Sequence, residues 1–262
     1  MKSLIFDCDG VLADTERHGH LPAFNQTFRE FGLPAQWSEE EYGIKLKIGG
    51  GKERMASMLT PEFVASAGLS TDPEVQKQLI ADLHKRKTAI YKEMIAEGRL
   101  PARPGVRRLV MEAANGGWAL AVASTSAEEG VRAVLEHVVG PELAADFLVL
   151  AGDVVPKKKP APDIYLLAME RLGISPNEGL VVEDSRNGLV AAVACDLGCL
   201  VTLSSYTGGE DMSEALLVVS DLGEPDAPMK IVANRSLARP GACVIRDDLE
   251  SLLESPRLRE KR

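Results

Sequence analysis

The chain has 262 residues, 45% of them hydrophobic and 26% charged, with a net charge of −9. That composition fits a globular protein of one large domain or two smaller ones, and the acidic balance argues against a general nucleic-acid binder. Four scattered cysteines (Cys8, Cys195, Cys199, Cys243) show no metal spacing, and no apolar run approaches a transmembrane span, so a soluble chain in a reducing compartment, with no membrane partner, is expected.

The first element is a strand. Leu4, Ile5 and Phe6 run into Asp7-Cys8-Asp9-Gly10, with no signal-peptide pattern before it. Residues 21–31 place Leu21, Phe24, Phe28 and Phe31 at helical spacing, ended by Gly32 and Pro34. Ser38 and Glu41 read as a capping box opening a helix over 38–48. Gly49-Gly50-Gly51 breaks the chain before a helix in KERMASML. The longest helical pattern spans 72–97, with Asp72 as N-cap, Pro73 at the first position and Gly98 as the stop. Beyond Pro101 strands and helices alternate: a helix over 105–115, the strand WALAVAS, a helix over 128–139, the strand FLVLAG, a helix over 162–172, the strand GLVVED, a helix over 187–195 and the strand CLVTLSS. Such alternation predicts an α/β fold with a doubly wound parallel sheet, and the first strand must join it because a lone strand is unstable. The expected organisation is an α/β catalytic core from residues 1–15 plus 101–230, an all-helical insert over 16–100, and a C-terminal extension over 231–262. Within that extension the basic tail RLREKR is expected to be mobile, and residues 214–219 are expected to add one edge strand to the core.

In a parallel sheet every strand's carboxyl end lies on one edge, where open α/β sheets bind ligands. Here those ends carry Asp7-Cys8-Asp9, then Ser124-Thr125-Ser126, then Gly152-Asp153 followed by VVPKKKPAPDIY, then Glu183-Asp184-Ser185. Each has a plainer reading. Asp9-Gly10 suits a turn, Lys157-Lys158-Lys159 a solvated loop, and Ser-Thr-Ser or Glu183-Asp184 a helix cap. Four such groups in order on one edge instead point to phosphoryl transfer. Oxygen ligands on Asp7, Asp184 and the Asp9 backbone suit Mg²⁺, which offsets repulsion between an anionic nucleophile and an anionic phosphate. Ser124 and a lysine of the run can donate to the phosphoryl oxygens. One carboxylate attacks phosphorus; the other supplies a proton to the leaving oxygen and then takes one from water.

The pattern DCDGVLAD, Ser124, Lys159 in KKKPAPDIY, and Glu183-Asp184 in VVEDSRNGL resembles the four motifs of the haloacid dehalogenase superfamily over residues 4–200. The resemblance implies Asp7 as nucleophile, Asp9 as general acid/base, and Mg²⁺ held by Asp7, the Asp9 carbonyl and Asp184 with Glu183 close by. It also implies that the helical insert is a cap closing over the substrate. TERHGH, EYGIKLKIGGGKERM, LHKRKT and AGDVVPKKKP are similar to the CbbY-type phosphatases, with the plant and algal branch nearer. That similarity implies hydrolysis of xylulose-1,5-bisphosphate, an inhibitor of Rubisco in the Calvin cycle. It places a plant or algal member in the chloroplast stroma, and any other in the cytoplasm.

A bisphosphate has one phosphate to cleave and one to hold. The loop Gly49-Gly50-Gly51-Lys52-Glu53-Arg54 offers bare amides, Lys52 and Arg54 at a helix start, an anion site or equally a hinge. His84 and Lys87 lie one turn apart and share a face, as do Glu16 and His20, which suit sugar hydroxyls. Thr125 and Ser126 complete the substrate-binding set. His18 and His137 read as surface residues. The expected partner is a sugar bisphosphate, the expected state a monomer, and the alternatives are a β-phosphoglucomutase-like phosphomutase or a non-catalytic phosphosugar sensor.

Overall fold

The computed structural model describes residues 1–48 and 50–257. Strand β1 (Ser3–Phe6) is buried throughout, as its unbroken apolar character requires of a strand covered on both faces. The chain then enters a helical unit, Thr15–Arg99. A π-helical turn over Glu16–His20 runs straight into α1 (Leu21–Glu30). After it come α2 (Glu39–Lys45), α3 (Gly51–Ala56), α4 (Pro61–Ser66) and α5 (Pro73–Ala96). Glu41 N–H donates to Ser38 Oγ at 3.1 Å and Ser38 N–H to Glu41 Oε2 at 2.8 Å, so the capping box forms. Asp72 caps α5 by accepting from Glu74 N–H at 2.8 Å, with Pro73 at the first position. The unit's core joins α1 to α5. Phe24, Phe28, Leu83 and Ile90 are fully buried, and Trp37 meets Phe28 edge-on at 4.9 Å between ring centroids. Gly49 falls outside the described residues.

The second unit combines Met1–Asp14 with the chain from Leu100 onward. It contains α6 (Val106–Asn115), β2 (Ala119–Ser124), α7 (Glu128–Val139), α8 (Pro141–Ala145), β3 (Leu148–Ala151), α9 (Asp163–Leu172), β4 (Gly179–Glu183), α10 (Arg186–Val193), β5 (Gly198–Thr202) and β6 (Leu217–Val219). Last come β7 (Ile231–Asn234) and α11 (Arg246–Glu254). The seven-stranded sheet has the order β3-β2-β1-β4-β5-β6-β7. Every pairing is parallel except β6 with β7. Strand β1 is an interior strand, third in that order, with Ser3 opposite Ala119 on one side and Gly179 on the other. Alternation along the strands sends Ile5, Ala121 and Val181 into one buried cluster with Ile164 and Tyr165 of α9 and Leu189 and Ala192 of α10. Among the described residues no helix is long and apolar enough to cross a membrane.

The C-terminal segment departs from the sequence reading, which ends the α/β unit at 230 and makes 231–262 an extension. Strand β7 instead joins the sheet beside β6. Helix α11 carries Leu249 and Leu252, and both are fully buried, as is Val244 just before it. The reason is physical. An antiparallel edge strand buries little, and Ile231 and Val232 remain 47% and 58% exposed, so β7 has no burial pattern to read. Of the basic tail, Arg257 is tied down, its Nε donating to the Asp196 carbonyl at 3.1 Å. Residues 258–262 lie outside the described residues.

Candidate active site

Four strand ends deliver their side chains to one edge of the sheet. Asp7 follows β1, Ser124 ends β2, Lys159 lies in the segment after β3, and Glu183-Asp184 closes β4. Lys159 is the organising group. Its side chain is 7% exposed, and its ammonium donates to Asp7 Oδ1 at 2.6 Å, Glu183 Oε1 at 2.6 Å and the Ala123 carbonyl at 2.9 Å. Burial opposes the lysine's charge, but Asp7 and Glu183 outweigh it and raise the pKa above its usual range. Of the lysine run, only Lys159 enters the site. Lys157 is exposed and Lys158 pairs with Asp153 at 2.9 Å.

Glu183 is fully buried and its carboxylate is already occupied. Oε1 accepts from Lys159 and from the Tyr165 hydroxyl at 2.6 Å; Oε2 accepts from the Asp184 amide at 3.1 Å. No room remains around it. A Cβ on Gly188 would lie within 2.1 Å of three Glu183 carboxylate atoms, so glycine there is what lets α10 approach. This geometry makes Glu183 the anchor of Lys159. It does not thereby leave the acidic cluster, in which it stands beside Asp7 and Asp184. Nor does it cap α10, because Ser185 does so by accepting from Gly188 N–H at 3.2 Å, which leaves Asp184 for other work.

Asp7, Glu183 and Asp184 bring carboxylate oxygens within 4.8 Å of one another, all buried. Burial, opposed by Lys159, lifts the Asp7 carboxyl to about 7. Burial together with Glu183 and Asp7 also lifts Asp184 well above the usual carboxylate range. One lysine cannot balance three buried acids, which is why their protonated forms are favoured without a second cation, and their hard oxygen donors suit a hard divalent one. Asp9 is partly buried and accepts a hydrogen bond from the Ser126 hydroxyl. Ser124 is buried, its Oγ accepting from Ser126 N–H at 3.1 Å. Helix α7 begins at Glu128 with no side-chain cap, so Ser124, Thr125 and Ser126 are not spent as an N-cap. Thr125 is partly buried beside them.

The helical unit holds a second polar constellation. Glu16, on the π-helical turn, accepts from the Tyr42 hydroxyl at 2.5 Å. Arg54 donates to the Tyr42 hydroxyl at 3.0 Å, to Glu16 at 3.5 Å and to the Ile48 carbonyl at 3.0 Å. Arg54 is therefore tied to the unit's own groups, while Lys52 and Glu53 beside it are exposed. His20 Nδ1 lies 2.8 Å from Lys87 Nζ. Burial, then Lys87, Arg54 and His84, hold the imidazole well below its usual pKa, so the neutral ring accepts from the ammonium. Lys87 also sits 4.7 Å over the Phe24 ring and 5.2 Å over Tyr91. Half-buried His84 stands against Gly51, where a Cβ would come 3.2 Å from its ring. His18 and His137 are exposed; His137 Nε2 meets the Leu100 carbonyl at 2.8 Å.

Sequence reading passes over Tyr42, Tyr165 and the turn after β5. Tyr165 stands in the same PAPDIY segment as Lys159, and an aromatic hydroxyl buried beside an acid is its signal. The turn after β5 is simply a fifth strand end on the same edge.

A family model described as haloacid dehalogenase-like hydrolase matches residues 1–196. A CBBY-like protein of Arabidopsis thaliana is 47% identical over 223 residues, covering 85% of this chain and 70% of the relative. The plasmid-borne CbbY of Cupriavidus necator is 40% identical over 233 residues, covering 87% and 89%. A crystal structure of mutant CbbY from Rhodobacter sphaeroides, in complex with xylulose-(1,5)bisphosphate, superimposes with a TM-score of 0.72 at 37% identity. It covers 84% of this chain and 94% of that one.

Proposed function

This chain belongs to the haloacid dehalogenase-like hydrolases and, among them, to the CbbY-type phosphatases, and from that premise we propose that it is a Mg²⁺-dependent sugar-bisphosphate phosphatase acting on xylulose-1,5-bisphosphate. The observation that carries the reading is the bond from Lys159 to Asp7 Oδ1 inside a buried triad of acids, together with the ligand of the R. sphaeroides relative. For a plant or algal chain the location proposed with it is the chloroplast stroma.

The chain's residues divide the work. Lys159 occupies Oδ1 of Asp7 and leaves Oδ2 to attack phosphorus. An aspartyl phosphate forms as the bond from phosphorus to the sugar oxygen breaks. Asp9, steadied by Ser126, gives its proton to the departing sugar oxygen. It then takes one from the water that cleaves the acyl phosphate, which restores Asp7 and releases inorganic phosphate. Ser124 and Lys159 stabilise the equatorial oxygens. Asp7, the Asp9 carbonyl and Asp184 would hold Mg²⁺, which when bound supplies charge neutralisation across the phosphoryl group. In the helical unit, exposed Lys52 with the amides of Gly50 and Gly51 takes the second phosphate. Glu16, His20, Arg54, His84 and Lys87 take the sugar hydroxyls and its flanking charge.

The test is phosphate release from xylulose-1,5-bisphosphate with and without Mg²⁺, set beside isomerisation of glucose 1-phosphate. Release that depends on Mg²⁺, without isomerisation, is expected; isomerisation without release would make the chain a mutase. Lys52→Ala is expected to raise KM for the bisphosphate about tenfold, as loss of one charged phosphate contact would, with little change for a monophosphate. Equal effects on both substrates would remove Lys52 from the distal site.

A further inference from the structure

Tyr165, in the first turn of α9, is fully buried. It stands in the core cluster with Ile5, Ala121, Val181 and Leu189. Packing there calls for an apolar ring, and phenylalanine would serve. A buried hydroxyl costs free energy unless it is hydrogen-bonded. This one spends its single proton on Glu183, donating to Oε1 at 2.6 Å. The ring of the same side chain has its centroid 4.9 Å from Lys159 Nζ. Tyr165 thus meets Lys159 twice, through the carboxylate that anchors the lysine and through its own ring face.

The ammonium of Lys159 has three protons and three acceptors: Asp7 Oδ1, Glu183 Oε1 and the Ala123 carbonyl. Its position against Asp7 therefore depends on how firmly the other two acceptors are held. The carbonyl belongs to β2 and is fixed by the sheet. Glu183 is held by its side-chain contacts. Oε2 accepts from the Asp184 amide at 3.1 Å and the Ser185 hydroxyl at 3.3 Å, and Oε1 from Tyr165 and Lys159. With the phenol proton removed, Lys159 would be left to hold Oε1, and that oxygen would follow the ammonium instead of placing it. The ring face attracts the cation without adding another oxygen acceptor that would draw it from Asp7.

We infer that Tyr165 is a positioning residue for Lys159, holding the ammonium against Asp7 Oδ1 by fixing Glu183 from the far side. The inference rests on the phosphatase reading above. Its test is kcat and KM of the full chain for xylulose-1,5-bisphosphate at saturating Mg²⁺, well below the unfolding midpoint. Tyr165→Phe keeps the ring and removes only the hydroxyl. It is expected to lower kcat about tenfold, the scale of a hydrogen bond to a charged group, with KM unchanged. Tyr165→4-aminophenylalanine returns a donor to the end of the ring and is expected to recover most of that rate. In a Lys159→Met background, Tyr165→Phe is expected to cost nothing further, because the tyrosine acts through the lysine. A hydroxyl that serves stability alone would lower the unfolding midpoint and leave kcat unmoved. An unchanged kcat in Tyr165→Phe, or the same tenfold loss when Lys159 is already methionine, overturns the inference. Should Tyr165→Phe fail to fold, a folded Tyr165→4-aminophenylalanine chain that has lost the rate overturns it. Absence of phosphate release by the unsubstituted chain would defeat the phosphatase reading and this inference together, whereas normal release with an insensitive Tyr165 sinks the inference alone.

Discussion

Asp7→Asn is expected to lower kcat by roughly 10⁴-fold or more, the scale of removing a covalent nucleophile, without loss of the fold. Asparagine has nearly the same shape, and its amide oxygen can still accept from Lys159. It cannot form an acyl phosphate. A chain that merely senses phosphosugars would keep its ligand affinity under this change, and a variant that still turns over at the unsubstituted rate would remove Asp7 from the nucleophile's role. A second readout is independent of turnover. Burial, against the pull of Lys159, raises the Asp7 carboxyl from 3.8 to about 7. The folded, metal-free chain therefore binds a proton that the unfolded chain has already released. The stabilisation from that proton is full below about pH 4 and is lost as pH rises through about 7. Unfolding temperatures measured in a chelator are expected to show this fall, and Asp7→Asn should reduce it. Part of the slope remains, because Asp184 is raised in the same direction. An identical pH profile in the variant would show that Asp7 is ionised throughout.

Lys159→Met is expected to damage stability and turnover together. The substitution keeps most of the side chain's volume but removes the cation that holds Asp7 and Glu183 at 2.6 Å each. Breaking a buried pair by deleting one partner costs about 3–5 kcal/mol, a fall of roughly 10 °C in the unfolding midpoint for a domain of this size. Added Mg²⁺ should recover part of that loss, since a divalent cation meets the same unbalanced carboxylates. It should not recover the rate. The positive charge beside the phosphoryl oxygens is gone, a change worth roughly 10²–10³-fold in kcat. Lys159→Arg is expected to rescue neither, because three acceptors converge on one ammonium and a planar guanidinium cannot meet them. An unchanged unfolding midpoint and an unchanged rate would return Lys159 to the solvated loop that its lysine-rich surroundings suggest.

Much of this site could be read before any coordinates because parallel strands put chemically unlike residues on one edge. Asp7, Ser124, Lys159 and Asp184 are far apart in sequence yet each follows an apolar run. What the pattern could not convey was division of labour among neighbours. Glu183 and Asp184 are adjacent and both acidic, and only the coordinates show one locked to Lys159 and Tyr165 while the other stays with the site. Arg54 appears as an anion ligand in a glycine-rich loop, but Glu16 and Tyr42 hold it, a contact between segments that no local spacing encodes. Strand β7 was not legible, because an exposed edge strand carries no hydrophobic alternation.

The interior place of β1 bears on how the chain reaches its active form. Its neighbours are β2 and β4, paired through Ser3 with Ala119 and Gly179. During synthesis the first apolar strand emerges long before either partner, and the nucleophile is not seated until β4 has been made. Pairings this distant in sequence carry a large loop-closure cost and slow folding. The helical unit is one continuous segment, Thr15–Arg99, so the pairings that build it are closer in sequence. Assembly is thus ordered by sequence distance: the helices close early, and the hydrolytic centre is among the last parts of the molecule to exist.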